Sequence, residues 1–376
     1  MLYRRFEKGK MDVSLLGLGC MRFPMDGRGN VDEAKAIEMI RTSIDEGVNY
    51  IDTAYTYHGG LSERIIAKAL KDGYREKTLV ADKLPTWLLK TEEDVRRIFF
   101  EQKERLDIDV IDMYLVHSVT KESWDLAKKC RVLEILEELR HEGYIKYIGF
   151  SFHDEYSLFE EVIDSWDWDF CQIQLNYVDV EFQAGVKGLK YAASKNIPVV
   201  IMEPLKGGRI TDRIPPAIQE IWKGAKTKRS PAHWAFLWVA QFPEILTILS
   251  GMSDMRQLYE NLEMFSHKEI ENVSGEDLEV IERAGDLYRS LIKHQCTGCK
   301  YCLPCPKGVA IPNIIRYLND WYAFDNNPRL KGEYNTWLDP EEQAANCVSC
   351  GQCEKACPQH LPIMEIMHEA DGIFGR

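Results

Sequence analysis

Eight of the eleven cysteines in this 376-residue chain stand close together near its C-terminus, in two runs. The first is Cys296-x-x-Cys299-x-x-Cys302-x-x-Cys305-Pro306, and the second is Cys347-x-x-Cys350-x-x-Cys353-x-x-x-Cys357-Pro358. Thiolates at three-residue steps, closed by a Cys-Pro, can wrap an iron–sulfur cube. Three cysteines of a run then hold one cluster and the fourth reaches the other. Zinc is the competing reading, since C-x-x-C pairs also bind it. A zinc site takes two such pairs, however, and leaves the third cysteine and the Cys-Pro without a purpose. The first run has two residues rather than three before its last cysteine, a departure from the ferredoxin spacing that the second run matches.

A second set of reactive side chains lies earlier. Asp52, Lys83, His117, Ser151 and Glu203 each end an apolar run, and Gln172 and Gln174 lie within or at the end of another. Singly, each has a structural reading: Asp52 and Lys83 as a rim ion pair, His117 as a satisfied core histidine. Together, at successive strand ends, they would face one mouth. Tyr57 follows Asp52 by five residues, so a loop can swing its hydroxyl over the same place. Asp52 would keep Lys83 charged, and Lys83 would lower the phenol's pKa. Tyr57 then becomes a general acid, and His117 hydrogen-bonds and orients a substrate oxygen, stabilising a developing alkoxide. That set suits a carbonyl receiving hydride.

The elements that must carry these residues repeat regularly. Apolar runs at 15–19, 48–52, 78–83, 110–117, 145–151, 170–175, 198–203 and 245–251 alternate with amphipathic stretches at 32–46, from about 62, and at 92–106, 131–142, 155–165, 183–195, 231–241 and 254–265. Near-continuous apolar strands indicate burial on both faces. Eight strand–helix units predict an α/β fold, a parallel (β/α)8 TIM barrel with its chemistry at the C-terminal strand ends. A doubly wound sheet is the alternative, but no G-x-G-x-x-G follows an early strand. Residues 1–270 are expected to form the barrel and 271–293 a linker helix opened by Ser274, with Asp277 placed for a capping box. Residues 294–376 are expected to form a helix-rich ferredoxin-like domain, because 311–324 has helical spacing.

The net charge of −13 and the absence of a basic block argue against nucleic acid or anionic membranes as partners. No export signal and no spanning apolar run are visible, so a cytoplasmic location is expected, where thiols stay reduced and bind metal. Cys20, Cys130 and Cys171 read as small buried hydrophobes, with Cys20 the one to watch near the mouth.

Across residues 1–265 the chain resembles the aldo/keto reductases. The matching motifs are D-T-A-x-x-Y at 52–57, Lys83, Val116-His117, the segment 230–251, and Ser250-Gly251 with Glu260-Asn261. The resemblance implies carbonyl reduction by hydride from NAD(P)H, with Asp52, Tyr57, Lys83 and His117 as the catalytic tetrad and Tyr57 as the acid. It places Ser151 and Gln172 at the nicotinamide carboxamide and Met21 beside the ring. Met202 stands where an aromatic often stacks, and Leu205, Gly251, Gln257, Glu260 and Asn261 lie along the rest of the cofactor. Phe152 replaces an expected asparagine. Gly251 and Gln257 replace residues that often grip a 2′-phosphate, with Arg256 as a substitute, so NADPH and NADH both stay open. Residues 83–87, the Trp124 loop and 21–23 are candidate pocket walls. The whole chain resembles a subgroup with a C-terminal ferredoxin-type extension. This implies two [4Fe–4S] clusters, one on Cys296, Cys299, Cys302 and Cys357, the other on Cys347, Cys350, Cys353 and Cys305. The expected partners are a small carbonyl substrate and an electron-transfer protein. The alternative function is electron transfer or redox sensing, with the barrel holding nicotinamide or flavin without carbonyl turnover.

Overall fold

The computed structural model describes residues 1–212, 214–324 and 326–375. Backbone packing divides the chain into two compact units, Met1–Pro204 with Phe236–Val273 and Leu205–Ala235 with Ser274–Arg376. The first opens with an antiparallel hairpin, β1 (Tyr3–Phe6) and β2 (Met11–Ser14), in which Tyr3 pairs with Ser14. Eight parallel strands follow: β3 (Leu16–Gly19), β4 (Tyr50–Asp52), β5 (Leu79–Leu84), β6 (Ile111–Val119), β7 (Ile145–Phe152), β8 (Phe170–Gln174), β9 (Val199–Met202) and β10 (Ile245–Ser250). They close into a barrel, with β10 pairing both β9 and β3. Every residue of β4, β5, β6, β8 and β10 is buried, which is why these strands read as unbroken apolar runs.

Helices separate the strands. In chain order they are α1 (Glu33–Asp45), α2 (Leu61–Ala69), α3 (Glu93–Leu106), α4 (Lys121–Lys129), α5 (Val132–His141), α6 (Tyr156–Asp164), α7 (Gly185–Ser194), α8 (Pro216–Gly224), α9 (Pro231–Ala240) and α10 (Met255–Met264). The expected (β/α)8 architecture is present, with additions. Helix α4 was not anticipated. Its capping box is made by Thr120 and Ser123, with serine where the usual sequence signal has Glu or Gln.

Arg4 is one of the side chains that tie the hairpin to the barrel. The Arg4 guanidinium donates to the carbonyls of Phe242 and Ile245, both at 2.6 Å, and of Ala240 at 2.5 Å, and it pairs with Glu271 at 3.0 Å.

The second unit contains, besides α8, α11 (Gly275–Leu291), α12 (Ile311–Ala323), α13 (Pro328–Trp337), α14 (Gln352–Lys355) and α15 (Ile363–Phe374). Ser274 caps α11 by accepting from the Asp277 N–H at 3.1 Å. The reciprocal half of the expected capping box is not made, because the Asp277 carboxylate takes Arg229 at 2.9 Å. Ile311, Ile314, Ile315 and Leu318 of α12 meet Ile363, Ile366, Met367, Ala370 and Phe374 of α15 in one core, against which Cys302, Cys305, Cys347, Cys353 and Cys357 pack. The region is helix-rich, as expected. No helix among the described residues is long and apolar enough to cross a membrane.

Arg4→Ala strands three carbonyls in a half-buried site. We expect a loss on the order of 3 kcal/mol, given about 1–3 kcal/mol for each hydrogen bond to a charged group and partial rescue by water, read as a lower urea midpoint.

Candidate active site and cysteine cavity

Parallel register brings the polar strand ends to one end of the barrel. Asp52 ends β4, and Lys83 lies on the neighbouring β5, both almost fully buried. The Lys83 ammonium donates to Asp52 Oδ1 at 2.6 Å and to the Thr53 carbonyl at 2.6 Å. Burial pushes the Asp52 carboxyl upward, and the Lys83 charge and hydrogen bond oppose that shift. The loop after β4 carries Tyr57, whose ring lies over Lys83 with the ammonium 5.1 Å from its centroid. The Tyr57 and His117 rings meet edge to face at 6.2 Å, and the Trp87 ring stands 5.0 Å from His117.

One electrostatic expectation fails. Lys83 was expected to lower the Tyr57 pKa, yet the phenol is held well above its ordinary value, first by burial and then by the charges of Asp52 and Glu203. Burial of the ring outweighs the cation, which stands 5.1 Å from the ring centroid and is itself held by Asp52 and the Thr53 carbonyl. His117 is pushed well below the usual histidine range by burial, then by Lys83 and His153, so its imidazole is neutral at neutral pH. Cys20 is fully buried and its thiol is pushed well up, chiefly by burial. It is a core residue, as Cys171 is.

Ser151 and Gln172 are register partners on β7 and β8. The Ser151 hydroxyl accepts the Ser118 N–H at 2.8 Å, which leaves its own proton to donate. Gln172 Nε2 donates to the Met202 sulfur at 3.5 Å, while Gln172 Oε1 is buried with no hydrogen-bond partner among the described residues. An amide N–H is what such an acceptor lacks, so the pair fits a nicotinamide carboxamide. Met21 follows β3 and is half-buried. Asn261 on α10 donates to Ser250 Oγ at 3.0 Å. Gly251 packs against Arg22, whose side chain would stand 3.2 Å from an added Cβ. Gln257 is engaged by the Ser253 N–H at 2.9 Å, and Arg256 by Glu260 at 3.0 Å. Leu205 belongs to the second unit.

Other expectations resolve differently. Gln174 is engaged in a buried network, donating to Asp179 at 2.7 Å. Trp124 lies on a helix rather than a loop: it is buried on α4, donating to Glu161 and facing Trp168. The Thr53 carbonyl, which completes the Lys83 environment, was missed because a backbone acceptor has no side-chain signal. His58, held at a φ of +52° and stacked on Phe23 at 5.3 Å, was missed for want of any pattern.

In the second unit, Cys296, Cys299, Cys302 and Cys357 line a single cavity with Ile315, Leu361 and Ile363. Three sulfurs come from the first run and one from the second. The Gly298 N–H donates to Cys296 Sγ at 3.4 Å, and the backbone N–H groups of Gln359, His360 and Leu361 face Cys357. Burial and the neighbouring Cys296 and Cys357 push the Cys302 thiol up to about 12. Four thiolates would repel one another there, so the donor set fits a cationic iron–sulfur core. Cys347 and Cys353 are electrostatic neighbours, and Cys350 is exposed. Among the described residues, no group of three His, Cys, Asp or Glu converges as ligands of a single ion would.

The buried pair gives a stability test. Removing one partner of a buried ion pair typically costs about 3–5 kcal/mol, whereas replacing both with apolar groups is often far milder. Asp52→Leu should therefore destabilise the protein more than Asp52→Leu combined with Lys83→Met, measured by urea unfolding.

Comparison with known proteins agrees with this geometry. Residues 15–282 match the aldo/keto reductase family, and residues 295–361 match a 4Fe-4S dicluster domain. An L-galactose dehydrogenase of Arabidopsis thaliana is 27% identical over 72% of this chain and 90% of its own length. An NADH-specific methylglyoxal reductase of Escherichia coli (strain K12) is 25% identical over 69% of this chain and 92% of its own. The fold is shared with an aldo-keto reductase from Bacillus halodurans in its holo form, at a TM-score of 0.64 and 23% identity, over 76% of this chain and 96% of that one. The chain belongs to the aldo/keto reductase family of NAD(P)H-dependent oxidoreductases and carries a C-terminal 4Fe-4S dicluster domain.

Proposed function

We propose that the barrel reduces a small carbonyl compound and that Asp52, Tyr57, Lys83 and His117 are its catalytic residues. The observation that carries this reading is the buried Asp52–Lys83 pair with the Tyr57 ring over its ammonium and His117 at the ring's edge. Reduced nicotinamide, when bound, supplies the hydride. Ser151 and Gln172 hold its carboxamide, with Met21, Met202, Gly251, Gln257, Glu260 and Asn261 along the rest. The neutral His117 imidazole donates to the substrate carbonyl oxygen and orients it. Tyr57 holds the proton that the alkoxide receives, and Lys83, fixed by Asp52 and Thr53, stabilises the phenolate left behind. The raised phenol pKa keeps the acid loaded at rest, and the developing alkoxide, a far stronger base than a phenolate, can still take its proton.

Tyr57→Phe removes the proton and keeps the ring over Lys83. Carbonyl reduction should fall at least about a hundredfold, within the usual range for a general acid, while thermal unfolding is unchanged. Turnover within a few-fold of wild type would sink the mechanism. Because His117 is neutral, the rate of reduction should also show no transition in the ordinary histidine range near ~6.5. With Gln257 engaged at the loop and Arg256 at Glu260, NADH should serve at least as well as NADPH, read from the ratio of kcat/KM values.

In the second unit the eight cysteines hold two [4Fe–4S] clusters, the first on Cys296, Cys299, Cys302 and Cys357, the second on Cys347, Cys350, Cys353 and Cys305. The clusters supply one-electron storage, for exchange with an electron-transfer protein. Domain limits of 1–270, 271–293 and 294–376 go with this reading. Cys357→Ser, which removes the one sulfur contributed by the second run to the first cavity, should lower iron and labile sulfide by about half in anaerobically purified protein, as expected if each run anchors its own cluster. Unchanged iron would refute the assignment.

A further inference from the structure

Behind Lys83, on the opposite face of β5, four polar side chains meet with no solvent exposure: Asp82, Glu63 of α2, Gln102 of α3 and Tyr114 of β6. Alternation along the strand puts Asp82 there while Lys83 faces the mouth. Asp82 Oδ1 accepts the Lys83 N–H at 2.8 Å, and Gln102 Nε2 donates to the Lys83 carbonyl at 3.0 Å. Gln102 Oε1 is held in turn by the Tyr114 hydroxyl at 2.5 Å. Both peptide groups of Lys83 are thus fixed by this cluster.

Two atoms remain. Asp82 Oδ2 and Glu63 Oε1 are buried with no hydrogen-bond partner among the described residues, yet the two side chains lie within hydrogen-bond reach of each other, with the Gln102 amide also beside Glu63. Carboxylates cannot bond without a proton between them, and two bare charges cannot share a dry site. We propose that Asp82 and Glu63 share one buried proton, and that this dyad positions Lys83 and keeps a further negative charge away from Tyr57.

The placement of the proton follows from Arg105. Its guanidinium donates to Glu63 Oε2 at 2.9 Å and lies 4.1 Å over the Tyr55 ring. It reaches Glu63 past Gly60, which sits at a φ of +86° and where a Cβ would stand 3.0 Å from the guanidinium. Arg105 therefore fixes the charge on Glu63. The proton resides on Asp82 Oδ2 and is donated to Glu63 Oε1, so every atom of the pair is satisfied. Burial and the Glu63 charge hold the Asp82 carboxyl well above its ordinary range. Around Asp82, the titratable and charged groups are Glu63, Arg105, Tyr114, Lys83 and, from the mouth, Tyr57. An ionised Asp82 is one of the charges that pushes the Tyr57 phenol up, so protonating it makes Tyr57 the better acid.

The kinetic part rests on the reading of Tyr57 and Lys83 given above; the proton itself does not. Infrared difference spectra of the full-length wild type against Asp82→Asn read the proton directly. At neutral pH the wild type should show the carbonyl stretch of a buried carboxylic acid that Asp82→Asn lacks, and absence of that band overturns the shared proton. Stability gives a second readout. A carboxyl whose folded pKa is raised contributes fully below its unfolded pKa and loses that contribution as pH rises towards the folded one. Wild type should therefore lose thermal stability relative to Asp82→Asn as pH rises above the ordinary aspartate range, and parallel curves would contradict the dyad. In turnover, Asp82→Ala should lower kcat/KM by about tenfold, equivalent to one buried hydrogen bond. Asp82→Asn, which still accepts from Lys83 and donates to Glu63, should recover most of that loss; equal damage by both overturns the positioning role. A carboxylic acid band in a protein with no carbonyl turnover would support the dyad and sink the proposed reaction instead.

Discussion

The mouth of the barrel depends on one interaction, the ion pair between Lys83 and Asp52. Both groups are almost fully buried, and removing an ammonium and a carboxylate from water costs several kcal/mol each. A single 2.6 Å contact does not offset that cost by itself. The Thr53 carbonyl at a second 2.6 Å contact helps, and so does the parallel register that makes β4 and β5 neighbours. Closure of the barrel turns this register into a fixed geometry, since every strand has a partner on each side. The Tyr57 loop then settles over a cation that cannot move. The lysine's rigidity is a property of the sheet rather than of the lysine.

Much of this was legible in the sequence, for a physical reason. Strands buried on both faces must be continuously apolar, so polar residues closing 48–52, 78–83 and 110–117 stood out. Their common location at one mouth followed from the parallel alternation of strands and helices. The parts that were not legible are those decided by orientation or by long-range contact. The direction of the Tyr57 shift is set first by how completely the loop buries the phenol, and spacing along the chain carries no such information. Trp124 was placed on a loop because the α4 segment lacks the Glu or Gln of a capping box; with serine in that role the helix forms and buries the indole. The Asp82–Glu63 contact joins a strand to a helix that precedes it by one unit, and neither residue sits in a pattern that announces the other.

The cysteine module follows a different logic. Its ligand spacing was visible because cluster geometry demands close cysteines within each run. The chain between the runs is free to vary, and here it forms α12 and α13. The Ile311, Ile314 and Ile315 face of α12 and the Ile363, Ile366 and Met367 face of α15 form the apolar wall behind the cysteines. Such a wall lowers the local dielectric, while N–H groups facing Cys296 and Cys357 favour the more negative cluster state. These opposing effects tune a potential without altering a ligand.

The proton inventory of the barrel mouth also constrains how electrons can be used there. The Tyr57 phenol and the Cys20 thiol are both held protonated and His117 is held neutral, while Asp52 and Lys83 neutralise each other. Among these groups no net charge is left, so the charge the phenol still feels at the mouth comes from Glu203, and the one transferable proton sits on Tyr57, where Lys83 would help to release it. Such a site matches a two-electron hydride step, which leaves a single negative charge on oxygen to be quenched by one proton. It is poorly matched to single-electron steps at the carbonyl, which would build a ketyl anion before the second electron arrived. Cys20, buried with a strongly raised pKa, is also poorly placed to act as a thiolate relay. On the proposed function, one-electron chemistry would fall to the cysteine module, and any exchange between nicotinamide and the clusters would require a two-electron to one-electron converter, for which a bound flavin or a partner protein carrying one is the chemically adequate class.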